Sequence, residues 1–393
     1  MKPVHFRRLL NPPRRSFFLF GPRGIGKSTW LRRAFPKAIH LDLLNASLAL
    51  ELERAPHRLE AIIEGKGPVR WIILDEIQKI PLLLDEVHRL METRSWRFAL
   101  CGSSARKLKR RGADFLAGRA LTLNMESFSR EELGPRFDLS RALAYGTLPL
   151  VCNAPSDAPA ILHAYVNTYI KEEIKEEGVV RQVPPFLRFL QIAGIMNGQM
   201  VNSSAIAAQA AVARANVDNY FSILVDTLLG HFLPSYQPGL KVRERARPKF
   251  YWFDPGVARA AAGSLFEPLD STWKGWALET LIFHELRVRN DVSGVHRPLA
   301  YYRTPAGVEI DFIVELRKRR MEIPAEIVGI EVKLSNRWDK SWNRALENMR
   351  AQKGIRVKRL IGVYTGERRY KFGNVDVLPV EDFLTELHKG NIF

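Results

Sequence analysis

The stretch that most constrains the fold runs from Gly21 to Ser28 and reads GPRGIGKS. It follows the apolar run FFLF at 17–20 and precedes TWLRRAF, which is typical of a helix. Gly-x4-Gly-Lys-Ser between a strand and a helix is the P-loop pattern. Its glycines let backbone N–H groups surround phosphates, and the N-terminus of the helix adds positive potential. The pattern therefore predicts a parallel α/β sheet that binds a nucleotide at the C-terminal edge of its strands.

The P-loop also predicts roles for individual residues. Lys27 is expected to reach the β- and γ-phosphates, and the Ser28 hydroxyl is expected to bind Mg²⁺. ATP and Mg²⁺ are therefore the expected cofactors. The predicted nucleotide-binding residues are Gly21, Arg23, Gly24, Gly26, Lys27, Ser28 and Thr29.

Two later apolar strands end in polar residues suited to catalysis. WIILDEIQKIP contains Asp75, predicted to help hold the metal, and Glu76, predicted to polarise the attacking water. RFALCGSSARKL contains Ser103 and Ser104, of which Ser103 is predicted to sense the γ-phosphate. Arg119, within FLAGRALTL, is predicted to contact either the γ-phosphate of its own site or a neighbouring subunit's nucleotide.

The charge balance suggests a polyanionic partner. Lys and Arg number 60 against 42 Asp and Glu, a formal net charge of +18. Nucleic acid is favoured over membrane, because no basic amphipathic anchor, secretory signal or membrane-spanning apolar stretch is evident. Cys101 and Cys152 are the only cysteines, so a disulfide framework or a four-thiolate zinc site is excluded. We expect a cytoplasmic protein.

Residues 184–255 contain three helical patterns followed by two short apolar strands. In RANVDNYFSILVDTLL, apolar residues recur at helical spacing and predict a core face. Three helices and a hairpin predict a winged helix-turn-helix domain, whose third helix can enter the major groove of DNA. Arg214, Asn216 and Asn219 would then lead that helix into the groove.

The predicted hairpin carries KVRERARPK, which has a cation at every second position. On a strand this spacing puts the cations on one face, where they would bind phosphates through counterion release. The alternative is a solvated edge strand that its charge protects from pairing. The aligned cations are Lys241, Arg243, Arg245, Arg247 and Lys249.

The C-terminal third contains carboxylates in three apolar segments. WALETLIFHEL predicts a helix that holds Glu279, and GVEIDFIVE predicts a strand that holds Asp311. IVGIEVKLS predicts a strand with Glu331 and Lys333 two residues apart, and so on one face. Carboxylates that bind Mg²⁺ and a lysine that supports developing charge are what a metal-dependent phosphodiesterase needs.

These motifs resemble a prokaryotic group of AAA+ ATPases that join the P-loop module to a C-terminal region of uncharacterised function. The helical glutamate, EIDF and the ExK residues resemble the PD-(D/E)xK nuclease family, although no proline precedes Asp311. The resemblance implies a ring, expected to be a hexamer, in which one subunit's arginine completes the next subunit's site. The predicted α/β fold comprises an AAA+ ATPase domain (1–150), a helical connector (151–183), a winged helix-turn-helix domain (184–255) and a restriction-endonuclease-like domain (256–393).

Three functions fit these expectations. The first is an ATP-driven motor that binds and remodels structured DNA, such as branched or Holliday-junction DNA, in recombination or repair. The second is an ATP-coupled, Mg²⁺-dependent DNA nuclease in defence or repair. The third is an ATP-dependent switch that acts on a protein partner, for which DNA would leave ATP turnover unchanged. We favour the first because the P-loop, the basic charge and the predicted wing agree with it.

Overall fold

The computed structural model describes residues 6–104, 106, 118–170, 183–237, 247–304, 307–321 and 323–393. Of the five aligned cations, Lys241, Arg243 and Arg245 lie outside these residues. A helix with the length and apolarity to cross a membrane is not found in the described parts of the chain.

The N-terminal region is built on a five-stranded sheet. Its strands are β1 (Phe17–Phe20), β2 (Ile39–Asp42), β3 (Trp71–Asp75), β4 (Arg97–Gly102) and β5 (Leu121–Asn124). All neighbours pair in parallel, in the order β2-β3-β4-β1-β5. β1 is wholly buried, as expected for an apolar central strand of a parallel sheet. The predicted parallel α/β sheet is confirmed, and its C-terminal edge carries the P-loop.

Helices cross between these strands: α1 (Lys27–Ala34), α2 (Ala46–Arg54), α3 (Arg58–Glu64) and α4 (Leu83–Thr93). The first begins directly after Gly26, whose φ of +87° is readily adopted only by glycine. The second is capped by the Asn45 side chain, which accepts a hydrogen bond from the N–H of Leu48. These local signals fix where each crossover begins, and so bring the loop after β1 to the edge of the sheet.

The middle of the chain is mostly helical. After β5 come α5 (Arg130–Leu133), α6 (Leu139–Tyr145), α7 (Pro149–Asn153), α8 (Ala158–Ala164), a π-helical turn (Tyr165–Ile170), α9 (Val183–Ile195), α10 (Ser203–Ala210) and α11 (Arg214–Asp226). The last three confirm the three helical patterns predicted within residues 184–255. Strands β6 (Gly230–Leu233) and β7 (Lys249–Trp252) follow as an antiparallel pair.

The C-terminal region is a second, mixed sheet with helices on both faces. Its elements are α12 (Pro255–Ala262), α13 (Ser271–Ser293), β8 (Leu299–Arg303), β9 (Glu309–Arg317), β10 (Ala325–Lys333), α14 (Asn343–Arg350), β11 (Ile355–Tyr364), β12 (Tyr370–Phe372), β13 (Val375–Pro379) and α15 (Val380–His388). The strand order is β12-β13-β11-β10-β9-β8. β8, β9 and β10 are antiparallel neighbours, whereas β10 and β11 run parallel.

The three regions pack against one another. One cluster of buried apolar side chains extends from Phe17 of β1 through Phe221 of α11 to Leu387 of α15. Polar contacts also cross between regions: the Tyr165 hydroxyl donates to the carbonyl of Arg23, 3.0 Å away. The P-loop therefore lies directly against the helical middle region.

Candidate nucleotide site and carboxylate cluster

The lysine of the P-loop, Lys27, is hydrogen-bonded to backbone carbonyls of the same loop. Lys27 is 6% exposed, and its Nζ donates hydrogen bonds to the carbonyls of Gly21 (2.6 Å) and Pro22 (2.9 Å). Gly24 and Gly26 have φ values of +79° and +87°, in the left-handed region where a Cβ is strained. The ammonium thus lies at the mouth of a loop whose backbone only glycine accommodates.

The acidic pair, Asp75 and Glu76, lies at the end of β3. In the sheet β3 pairs with β4, which in turn pairs with β1, the strand before the P-loop. The N–H of Glu76 donates to Asp75 Oδ1 at 3.2 Å, and Glu76 has a left-handed φ of +59°. Such a conformation costs a non-glycine residue about 1–2 kcal/mol and is frequent at functional sites. Burial raises the pKa of Glu76, and Lys27 opposes that rise. Asp75 and Ser28 offer a carboxylate and a hydroxyl at one edge, which fits a Mg²⁺ that also binds phosphate oxygens.

A glutamine that the sequence analysis missed joins this pair to β4. Gln78 Nε2 donates to the Glu76 carboxylate and to Ser103 Oγ, the latter at 3.0 Å. Gln78 and Ser103 are both buried. The only sequence signal was the position of Gln78, two residues beyond Glu76. Its contact with Ser103 depends on the pairing of β3 with β4, and a sequence motif does not show which strands pair.

A cavity of about 650 Å³ opens beside the N-terminal turn of α1. Its walls come from residues 6–12, from Gly26, Thr29 and Trp30, and from Asn153 of α7. It reaches Gly26 of the P-loop, and its lining combines apolar side chains with the guanidinium groups of Arg7, Arg8 and Arg33. The position suits the base and sugar of a nucleotide whose phosphates lie on the loop.

Arg119 lies away from this edge. It precedes β5, so it is at the N-terminal edge of the parallel sheet, and its guanidinium pairs with Glu92 of α4 at 2.7 Å. Across a strand of four or five residues the two edges are about 15 Å apart. The prediction that Arg119 contacts the γ-phosphate of its own site is therefore wrong, whereas contact with a neighbour's nucleotide stays a prediction.

The loop after β4 contacts the end of α11. Ser104 Oγ donates to the carbonyl of Asp226 at 3.3 Å, and the Arg106 guanidinium lies 3.3 Å from the Asp226 carboxylate. Both Ser104 and Arg106 are buried. Since Gln78 donates to Ser103, the residue next to Ser104, two adjacent serines connect the Glu76 side of the site to the C-terminal end of α11.

A second polar site lies in the C-terminal region, where its predicted carboxylates come together. Lys333 Nζ donates to Glu331 Oε1 at 2.5 Å, and Asp311 Oδ2 accepts from the N–H of Val332 at 2.8 Å. Glu279 on α13 accepts from the Tyr251 hydroxyl at 3.1 Å. Burial raises the pKa of Glu279, and the Asp311 charge raises it further, to about 7.

Lys249 belongs to this carboxylate cluster and not to a DNA-facing strand. Its side chain is 6% exposed, and its Nζ lies 2.5 Å from Glu309 Oε1 and 3.7 Å from Glu279 Oε2. Burial alone would lower the pKa of Lys249, but the charges of Glu279, Asp311 and Glu309 raise it overall. The prediction that Lys249 binds DNA phosphates is therefore wrong, because a buried, paired ammonium cannot reach them. Arg247, two residues earlier, is exposed.

The cluster contains a buried oxygen without a hydrogen-bond partner. Glu331 is 6% exposed, and its Oε2 is buried with no partner. Burial and the nearby Asp311 charge raise the pKa of Glu331, to about 8. Within the described residues, however, the carboxylates do not form a ready group of three metal ligands. Two lysines occupy the positions between them.

The predicted DNA-reading residues of α11 lie at its start. Arg214 and Asn216 are exposed, and Asn219 is half-buried. The guanidinium of Arg214 is 4.0 Å from the Asp218 carboxylate, a surface pair that contributes little. The helix therefore presents polar side chains outward while Val217 and neighbouring apolar residues face the core.

Comparison with known proteins matches three parts of the chain to family models. Residues 13–134 match an AAA domain, residues 136–266 match a domain of unknown function designated DUF8612, and residues 274–383 match a domain of unknown function designated DUF4143. The match and the P-loop geometry agree that residues 13–134 form a P-loop ATPase domain.

No curated protein matches the chain. A solved structure of the replication initiator DnaA bound to AMPPCP and single-stranded DNA aligns with 54% of this chain and 82% of its own, at 13% identity and a TM-score of 0.28. A TM-score this low does not establish a shared fold.

Proposed function

We propose that this chain is an AAA+ ATPase that binds structured DNA and uses ATP hydrolysis to remodel it. The observation that carries the proposal is the arrangement of Lys27 and Glu76 at one sheet edge. Lys27 is held by two neutral carbonyls, which give up an ammonium to phosphate oxygens at little electrostatic cost. Glu76 has a left-handed backbone conformation and its carboxylate accepts a hydrogen bond from Gln78, which would orient it toward a water molecule.

The roles follow from these positions. Ser28 and Asp75 would hold Mg²⁺, which supplies positive charge to the phosphates during hydrolysis. The loop formed by Gly21, Gly24 and Gly26 would hold the phosphates, with Arg23 and Thr29 at its sides. Ser103 would report the state of the site through Gln78. Arg119, exposed at the opposite edge, would complete the site of the next subunit in a hexameric ring.

Contacts from the ATPase site to α11 favour an output through the middle region. Ser104 and Arg106 both contact Asp226, the last residue of α11, whereas Arg214 is its first. A shift of the loop after β4 would therefore move a helix whose far end is exposed and polar. We propose that this region is a winged helix-turn-helix domain that binds DNA.

Charge supports DNA as the partner. The formal net charge of +18 favours a polyanion, and Arg214, Asn216 and Asn219 lie at the start of α11. Arg247 is exposed and would add phosphate contacts together with Lys241, Arg243 and Arg245. A branched substrate is part of the proposal, because a ring acting on a junction could convert ATP turnover into strand movement.

A specific observation favours a second candidate function, a Mg²⁺-dependent nuclease. Glu331 is buried with one oxygen unpartnered, next to Asp311 and Glu279. A cation is the partner that such an oxygen lacks, and Lys333 could then support charge on a phosphate. The neighbouring strands β9 and β10 carry Asp311, Glu331 and Lys333, and the helix α13 carries Glu279.

The two candidates are tested together. ATP turnover by the wild type and by Lys27→Ala would be measured by phosphate release, and DNA binding by fluorescence anisotropy with linear duplex and a four-way junction at low and moderate salt. We expect turnover that Lys27→Ala abolishes, and junction binding that Arg214→Ala weakens and salt reduces. Turnover without DNA binding would reject the DNA proposal and favour a protein partner. Cut DNA that depends on Glu331 would establish the nuclease.

A further inference from the structure

The carboxylate cluster of the C-terminal region is completed by a residue from the middle region. Lys249 is the first residue of β7, yet its ammonium lies among carboxylates carried by α13 and β9. It also lies 5.5 Å from the centre of the Tyr301 ring on β8. The cation is thus enclosed by the C-terminal region on several sides.

The backbone around Lys249 is held on one side by β6, where Leu233 pairs with Lys249, and on the other by residues 198–201. The N–H of Val201 donates to the carbonyl of Pro248 at 2.9 Å, and the N–H of Gly198 donates to the carbonyl of Phe250 at 2.8 Å. Two residues on, the Tyr251 hydroxyl donates to Glu279. The position of the ammonium is therefore built into the fold, and only its flexible side chain can move away.

The charges around the cluster indicate what Lys249 replaces. Glu309 lies at the rim, where Arg303 pairs with it at 3.3 Å. Of the cations in the described part of the chain, Lys333 pairs with the inner carboxylate Glu331, and Lys249 lies near the inner carboxylate Glu279. The buried Oε2 of Glu331 has no hydrogen-bond partner, so the cluster still holds an oxygen that a cation could contact.

We propose that Lys249 is an internal competitor that keeps a divalent cation out of the C-terminal carboxylate cluster. The inference rests on the second candidate function, the cation site at Glu279, Asp311 and Glu331. While the ammonium lies against Glu279 and Glu309, it supplies the positive charge that the inner carboxylates need. A divalent cation binds when the ammonium leaves, so the position of the Lys249 side chain controls the occupancy of the site.

Coulomb's law fixes the direction of the test. A unit charge a few ångströms from a divalent cation repels it strongly in a site with little water, so removing the Lys249 charge should tighten binding by at least about tenfold. A positioning role for Lys249 would have the opposite sign, because Glu279 would then lose its orientation and bind the cation less well.

The experiment measures Mn²⁺ binding to the full chain without nucleotide, by isothermal titration calorimetry. The variants are Lys249→Met and the double variant Lys249→Met with Glu309→Gln. The double variant removes both partners of the 2.5 Å Lys249–Glu309 pair, so the test still holds if the single variant misfolds. Arg247→Met is the matched control, because it removes the same charge from an exposed side chain two residues away. Each is repeated with Glu331→Gln, and circular dichroism checks folding.

We expect the Lys249 variants to bind one Mn²⁺ at least about tenfold more tightly than the wild type, Arg247→Met to match the wild type, and Glu331→Gln to abolish the gain. Equal or weaker binding by both Lys249 variants, with binding still lost in Glu331→Gln, would reject the competitor while the cation site stands. If no variant binds Mn²⁺ and Glu331→Gln changes nothing, the cation site itself is wrong and the competitor with it.

Discussion

Two buried lysines at opposite ends of the chain have opposite surroundings. Lys27 is held by the neutral carbonyls of Gly21 and Pro22, whereas Lys249 is held by the carboxylates of Glu309 and Glu279. An ammonium on carbonyls keeps its charge available for an anion. The charge of an ammonium that pairs with carboxylates is already neutralised by the protein. The same residue type therefore prepares one site for phosphates and closes the other to cations.

The carboxylates beside the two lysines also differ in their hydrogen bonding. Burial raises the pKa of Glu76 beside one lysine, but its carboxylate has Gln78 as a hydrogen-bond donor. Glu331 lies among other carboxylates and keeps one oxygen without a partner. The Glu76 carboxylate thus has a donor within the protein, whereas one oxygen of the Glu331 carboxylate has none.

The largest effect is expected at Lys27. Lys27→Ala removes the charge that would contact the β- and γ-phosphates, so ATP turnover should fall by about 10³-fold. Turnover is measured by phosphate release, with Arg32→Ala as the control because Arg32 lies exposed on the same helix. Equal turnover in the two variants would remove the distinction between the two lysines.

Glu76 should have the next largest effect. Glu76→Gln keeps the shape of the side chain but cannot take a proton from water, so turnover should fall by about 10²-fold. ATP affinity, measured with a fluorescent analogue, should stay within about twofold of the wild type, since the phosphates are bound elsewhere. Weakened binding with unchanged turnover would show that Glu76 holds the nucleotide and does not activate water.

The acids of the C-terminal cluster should make stability depend on pH. Glu279 and Glu331 have folded pKa values raised to about 7 and about 8, so between pH 4.5 and 8 the folded state binds more protons than the unfolded state. Stability is therefore highest in the acidic part of this window and falls as pH rises through it. Glu331→Gln should remove about 1–2 kcal/mol of that fall.

The measurement is urea unfolding at pH 5 and pH 8, with chelator present. Glu315→Gln is the control, a half-buried glutamate of β9 that faces other partners. A pH dependence that Glu331→Gln leaves unchanged would show that the cluster is not short of positive charge.

The smallest effect is expected at Asp226, where the loop after β4 contacts the end of α11. Asp226→Asn keeps the carbonyl that Ser104 contacts but removes the charge that Arg106 pairs with. Basal turnover should be unchanged, whereas stimulation by DNA should fall by about threefold, since coupling terms of this kind are about 0.5–2 kcal/mol. Phosphate release with saturating junction DNA measures it. A loss of basal turnover would mean that the pair only supports the fold.

The sequence predicted the parts of these sites that lie within one contiguous segment. The P-loop residues, Asp75 and Glu76 follow strands whose apolar pattern marks their ends, and Glu331 and Lys333 share a face because they are two residues apart. Strand ends and alternation are local properties, so they can be derived without knowing the tertiary structure.

Contacts between distant segments were not predictable in this way. Gln78 reaches Ser103 only because β3 pairs with β4. Lys249 was assigned to DNA because its spacing continued a row of cations, but the start of β7 lies against the carboxylate cluster. Arg119 was predicted to reach the nucleotide of its own site. Its position at the opposite edge of the sheet depends on how the strands are arranged, which the sequence alone did not show.

We expect DNA to change the ATP turnover of this chain. Steady-state phosphate release with no DNA, with linear duplex and with a four-way junction tests it in one experiment, with Lys27→Ala as the blank. Turnover that rises on DNA, most on the junction, and falls back when Arg214 is replaced by alanine is the predicted result. Turnover that stays the same on every DNA would contradict the account, and would leave an ATPase whose partner is another protein.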